Sequence, residues 1–201
     1  MEHVSGRDLA QFRRWYEQPG TPELTIEERF DAEAGCLHLT VRQNNPDATC
    51  GEARPPLHIP LVIGLISDGR LLPLPEGGTS RLLEVTQSEE VFTIDGLAAE
   101  PTLSPLQGFS APVRLKARDD EQTLRTLIGS DGDDFVRWDA MQRYATQTVM
   151  AVMEGQKVPE AFVATYGKAL ESDTDDAMKS LLLTLPSEES LADHCAQTGG
   201  V

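Results

Sequence analysis

Zinc-dependent hydrolysis is the first chemistry to test in a chain with four histidines, 33 acidic residues and three cysteines. A common helical solution places two histidines at i and i+4 with an intervening glutamate, so that both ligands and the base share one face. His3, His38, His58 and His194 include no pair at that spacing. The nearest metal-like group is Cys36 with His38, whose i, i+2 spacing on a strand turns both side chains to one face, with Cys50 a loop away. A half-buried cysteine and a surface histidine on an alternating strand explain that pair more simply. His194 and Cys195 are neighbours that would diverge on a helix, in what reads as a frayed tail.

Nucleophilic catalysis would need a serine or cysteine on a sharp turn with a histidine base in reach, and no GxSxG-like signature occurs. Ser5 and Ser130 read as cap or loop serines. Gly77-Gly78 follows Pro75 between two strand-like runs, where a turn is expected rather than a phosphate loop. Acidic clusters stand at Asp119-Asp120-Glu121, Asp131 with Asp133-Asp134, and Asp173 with Asp175-Asp176. The second resembles a calcium loop but lacks its glycine and distal glutamate, so helix N-terminal charge accounts for these clusters better. No catalytic, cofactor-binding or metal-ligating residue is therefore assigned.

Composition narrows the remaining options. A formal net charge of -16 opposes phosphate backbones and anionic lipid, which excludes nucleic acid and membrane surfaces as expected partners. Residues 1–118 carry 11 Lys and Arg against 17 Asp and Glu, and residues 119–201 carry 6 against 16, so the second part is the more acidic. No apolar run approaches the roughly 18 residues of a membrane span, and the opening MEHVSGRDLAQFRR lacks a signal-peptide core. Three cysteines without repeated spacing suit a reducing compartment, and a cytoplasmic location is expected.

The elements follow from periodicity. Asp8 followed by LAQFRRWYEQ predicts a short capped helix with Leu9, Phe12 and Trp15 or Tyr16 on one face, ended by Pro19-Gly20. From Glu23 to Leu115, six alternating runs (ELTIEERF, CLHLTVRQ, LHIPLVIGLI, RLLEVTQ, EVFTID and APVRLKA) are separated by Gly, Pro, Asn and Asp. They predict an antiparallel, immunoglobulin-like β-sandwich, with Pro60 at an edge or bulge. From Asp119 the period changes to about 3.6 and five helices are expected. The second carries Phe135, Trp138, Met141, Ala145, Val149 and Val152 along one stripe, with Arg137, Asp139 and Arg143 on its polar face. Pro159 is expected in the first turn of the third, which runs through Phe162, Tyr166 and Leu170; Ser172 or Asp173 caps the fourth, and Ser187 opens the fifth. The fold class is thus an immunoglobulin-like antiparallel β-sandwich followed by a short α-helical array. Trp15 and Trp138, each flanked by arginine and an acidic residue, serve equally well as core residues or as domain-contact anchors.

The segments DLAQFRRWYEQPGTPELTI, PLHIPLVIGLI, FSAPVRLKA and DDFVRWDAMQRYA resemble matching stretches of the bacterial aminopeptidase N family of gluzincin zinc aminopeptidases. The resemblance runs over nearly all of residues 7–190, and Met1 to Val4 match poorly. It implies three parts: residues 1–20 as a linker helix from a catalytic domain, 21–117 as the sandwich, and 118–201 as the start of a larger helical C-terminal domain. It also implies a parent enzyme that removes N-terminal residues from peptides with a zinc held by two histidines and a glutamate, none of which maps onto this chain. The expected role is then a non-catalytic spacer with no cofactor of its own, contacting the catalytic and C-terminal domains. A stand-alone immunoglobulin-like module that binds a protein through strand edges or acidic helices is the alternative. A truncated helical array should expose apolar surface along Leu181, Leu182 and Leu183 and self-associate.

Overall fold

The computed structural model describes residues 6, 8–45, 54–75 and 77–198. It forms two compact units: one reaches Ser67 and resumes from Leu72 to Arg118, and the other comprises Asp68–Leu71 and the chain from Asp119 onward.

The first unit opens with a turn that tightens into a four-residue helix, α1 (Arg14–Glu17). Seven of its strands then form: β1 (Glu23–Asp31), β2 (Cys36–Asn44), β3 (Ile59–Ser67), β5 (Ser80–Val85), β6 (Glu89–Ile94), β7 (Thr102–Pro105) and β8 (Arg114–Lys116), while the two-residue β4 (Arg70–Leu71) groups with the second unit. One sheet has the order β6-β2-β1-β8, antiparallel except for the β1–β8 pair. In the other, β3 lies between β5 and β7. Alternation explains the core between them, because every second residue faces inward. Leu24 and Ile26 of β1, Leu37, Leu39 and Val41 of β2, and Ile59, Leu61, Ile63 and Leu65 of β3 are all buried. Each such aliphatic contributes about 1.5–3 kcal/mol.

Two local features show how sequence fixes the strands. The β1–β2 turn is closed by Asp31, whose Oδ1 accepts from the Glu33 and Ala34 amides, and by Gly35 at φ +63°. A Cβ at Gly35 would stand 2.9 Å from the Leu97 carbonyl oxygen, so only glycine fits. Pro60 is not in a bulge, but it does stand at a locally open edge: β3 is central over Ile63–Ile66, whereas at Pro60 it pairs with β5 alone. Its missing N–H does no harm there. β7 pairs only with Ile63–Ile66, and two residues on from Pro60 the Val62 amide points away from β5 to the Ser110 hydroxyl. That flank of Pro60 carries no ladder bond.

β4 and β7 fall between the six expected runs. Thr102–Pro105 pairs with β3 despite Pro105 at its end and Pro101 just before it, and Leu106 follows with φ 57° to turn the chain out of the strand.

The second unit contains α2 (Glu121–Ser130), α3 (Asp134–Met153), α4 (Glu160–Glu171), α5 (Asp176–Leu183) and α6 (Glu188–Thr198). Three of these helices are capped by aspartates: Asp120 accepts from the Thr123 amide, Asp133 from Val136, and Asp175 from Ala177 and Met178. The fourth expected helix is therefore capped by Asp175 rather than by Ser172 or Asp173; Ser172 instead donates back to the Ala169 carbonyl and ends α4. Pro159 sits at the N-cap of α4, one position before the expected first turn. Ser187 accepts from the Ser190 amide at the start of α6, and His194 and Cys195 lie within that helix rather than in a frayed tail.

The buried stripe of α3 differs from the expected one. It consists of Val136, Ala140, Met141, Tyr144, Ala145 and Thr148, whereas Val152 is exposed. The line combines the small Ala140 and Ala145 with the bulky Met141 and Tyr144. Leu182 is fully buried and only Leu181 of the expected leucine trio is exposed, because one helical turn cannot present three consecutive residues to the same side.

Candidate functional site: a docked linker helix

The richest convergence of polar side chains in the first unit lies where α1 meets the segment before β3. Pro55 and Pro56 lack amide hydrogens and hold residues 54–58 outside any ladder, so their carbonyls need donors from elsewhere. The α1 segment supplies them. Gln11 Nε2 donates to the Pro56 carbonyl at 3.2 Å and to the Thr86 carbonyl at 2.6 Å. Arg14 donates to the Pro56 carbonyl, Trp15 Nε1 to the His58 carbonyl at 2.8 Å, and Gln18 Nε2 to the Pro55 carbonyl at 3.0 Å. Phe12 meets the His58 ring edge-on at 6.5 Å between centroids.

A second layer holds the acceptors in place. Gln43 at the end of β2 accepts from the Leu57 amide and donates to the carbonyls of Leu57 and Gln87. Glu90 accepts from the amides of Thr86 and Gln87 and from the Thr86 hydroxyl. The buried Asn45 donates to Gln18 Oε1, and Arg54 to the Pro19 carbonyl. The docking face is thus Gln11, Arg14, Trp15 and Gln18, at i, i+3, i+4 and i+7. Apolar periodicity points to Leu9, Phe12 and Trp15 or Tyr16; of the two alternatives Trp15 is docked, whereas Tyr16 is 83% exposed. Helical spacing of donors next to a Pro-Pro segment was the signal in the sequence. Trp15 is half-buried and donates to the His58 carbonyl within its own unit, and Trp138 packs against Phe135.

The remaining sequence candidates are scattered. Cys36 Sγ lies 3.3 Å from His38 Nε2, His58 Nε2 lies 3.4 Å from Glu84, and Cys195 of α6 contacts Met150 of α3. Ser5, His3 and Cys50 fall outside the described residues. Gly77 and Gly78 form a tight turn at positive φ, with the Gly77 amide on the Leu74 carbonyl. The acidic clusters cap helices: Asp131 accepts from the Asp133 amide, and Asp133 caps α3. Among the described residues no group of three or more His, Cys, Asp or Glu could hold a metal ion, so they do not fit the zinc that the family resemblance implies. No helix of the described residues is long and apolar enough to cross a membrane.

In the second unit, a cleft of about 500 Å³ between α2 and α4 is lined by Arg125, Arg137 and Lys168 without an acidic residue. Its charge is already balanced. Two helix C-termini contribute roughly -0.5 each, Glu121 pairs with Arg125 and Asp134 with Arg137, and Arg137 Nε donates to the Ile128 carbonyl. On α3, burial raises the Asp139 carboxyl above its ordinary value, and Arg143 at 3.0 Å pulls it partly back.

These two units match two family models. Residues 20–118 match "Domain of unknown function (DUF3458) Ig-like fold", and residues 121–199 match "Domain of unknown function (DUF3458_C) ARM repeats". The chain is an immunoglobulin-like domain followed by helical ARM-like repeats. It is homologous to aminopeptidase N: 36% identical over 96% of its length to the protein of Escherichia coli K12, and 40% identical over 94% to that of Caulobacter vibrioides. It spans 23% and 22% of those relatives' lengths. Among solved structures, the aminopeptidase A of Legionella pneumophila, in complex with aspartic acid, superposes with a TM-score of 0.82 at 27% identity, covering 96% of this chain and 22% of that one.

Proposed function

We propose that this chain is the non-catalytic brace of a cytosolic zinc metallo-aminopeptidase, a spacer that fixes a catalytic domain relative to a helical domain. The observation that carries this reading is the linker dock. A helix of only four residues cannot hold its own structure, yet side chains at Gln11, Arg14, Trp15 and Gln18 tie it to backbone carbonyls of the sandwich. A domain attached through such a helix would have its orientation set by the sandwich rather than by a swivelling linker. In that reading, peptide substrate and zinc belong to the rest of the enzyme, and the site residues lie outside this chain. The cytosolic location rests on the absence of any cysteine pairing pattern.

The test is made in the full-length polypeptide that contains this segment, read from the coding region upstream of Met1. An in-frame zinc-binding helix is expected there. The double variant Gln11→Ala, Trp15→Ala should then lower kcat/KM on an aminoacyl chromogenic substrate about tenfold while the zinc content stays unchanged. An in-frame stop upstream would favour a stand-alone binding module, and undiminished turnover in the double variant would remove the brace.

A further inference from the structure

Away from the linker dock, one group of side chains combines a nucleophile, a base and a third residue that orients the base. Cys36 and His38 project from one face of β2, and Cys36 Sγ lies 3.3 Å from His38 Nε2. The other ring nitrogen, Nδ1, lies 3.1 Å from the Thr93 hydroxyl on β6, directly opposite His38 in the register. With Thr93 accepting from Nδ1–H, Nε2 is the acceptor that faces the thiol.

The charges around the pair are defined. Arg29 of β1 stands opposite His38, and Asp31 stands opposite Cys36. The Ala34 amide holds the Asp31 carboxyl below its ordinary range despite an opposing desolvation, with the Glu33 amide, Arg29 and His38 assisting. An ionised carboxylate therefore stands opposite Cys36 in the β1–β2 register. Cys36 itself is 6% exposed. Structural cysteines are inert when surrounded by apolar groups, whereas this one touches an imidazole, and its narrow exposure restricts access to small reagents.

We propose that Cys36 is a modification site for small electrophiles of the peroxide class, with His38 as its proton acceptor and donor and Thr93 as the residue that sets the His38 tautomer. In the step, the thiol proton passes to His38 Nε2 as the sulfur attacks one oxygen of hydrogen peroxide. The S–O bond forms and the O–O bond breaks; sulfur is oxidised by two electrons and the peroxide is reduced. His38 returns the proton to the departing hydroxide, releasing water and leaving a sulfenic acid on Cys36.

The 201-residue chain is treated with dilute hydrogen peroxide in the presence of a sulfenic-acid-trapping dione, and adduct at Cys36 is followed by peptide mass spectrometry. Native Cys36 should react faster than Cys36 in the urea-unfolded chain. His38→Ala should slow it about tenfold or more, free imidazole should restore part of the loss, and Thr93→Val should slow it by a smaller factor. His38→Gln, which keeps the bulk of the ring, is read in the same way if the alanine variant does not fold. A native rate no higher than the unfolded rate, an unchanged rate in the histidine variants, or no response to imidazole would overturn the assignment.

Discussion

The sandwich and the helical unit handle their apolar surface in opposite ways. Among the described residues, eleven Leu and Ile side chains of the sandwich are exposed by 2% or less (Leu24, Leu37, Leu39, Leu57, Ile59, Leu61, Ile63, Leu65, Ile66, Leu83 and Ile94), whereas in the helical unit Leu124, Leu127, Met141 and Leu182 are the Leu, Ile and Met side chains buried to that degree. The exposed large hydrophobics lean the other way: Val152, Met153, Val158, Val163, Leu170, Leu181 and Leu185 lie in the helical unit, against Tyr16, Leu82, Val91 and Phe109 in the first unit. Two facing sheets bury each other's inner faces and complete a core. Stacked helical repeats bury theirs only against successive neighbours, and the family match to ARM repeats is consistent with surface left uncovered on α4 and α5.

The largest effect expected from this contrast comes from truncating equivalent leucines. Leu39→Ala and Leu61→Ala, both at 0% exposure, should each cost about 2–5 kcal/mol in urea titrations followed by sandwich signals. Leu170→Ala and Leu181→Ala, at 59% and 53% exposure, should change stability by less than about 0.5 kcal/mol. Equal losses at the four sites would erase the distinction.

A smaller effect separates the helix caps. Asp120→Ala, Asp133→Ala and Asp175→Ala each remove a side-chain acceptor from a first-turn amide and should cost the helical unit about 1 kcal/mol. The sandwich signal should not move, and a shared shift would show that the two units melt together.

The smallest effect is a pH slope. Burial raises the Asp139 carboxyl above 3.8, so between that value and the folded one the native state holds a proton that the unfolded chain has released. That contribution is fully present below pH 3.8 and is lost as pH rises through the folded value. Asp139→Asn should flatten the slope of helical-unit stability across that window, and an unaltered slope would remove burial as the cause.

Strong periodicity made most elements legible. Alternation in ELTIEERF and CLHLTVRQ and the change of period after Asp119 correspond to β1, β2 and the helices. What escaped had a physical reason. β7 is four residues with prolines at its borders, too short for alternation to register. The α3 stripe shares Met141 and Ala145 with the expected line, but its Ala140 and Thr148 are residues that an apolar search ranks below Trp138 and Val149. The linker dock was invisible because its acceptors are main-chain carbonyls and its donors are glutamines and an arginine. Only the pairing of a donor-rich helical face with Pro55-Pro56 pointed to it, and that pairing spans about forty residues.

The brace stands or falls on whether α1 is part of the sandwich in solution, and native-state hydrogen exchange measures that most directly. The amides of Arg13, Trp15 and Tyr16 donate to the carbonyls of Leu9, Phe12 and Arg13 within the docked segment. In the native chain they should be protected at least about tenfold over unstructured peptide, and that protection should collapse in Gln11→Ala, Trp15→Ala while the β1–β2 amides keep theirs. Unprotected exchange of these three amides in the native chain would contradict the account.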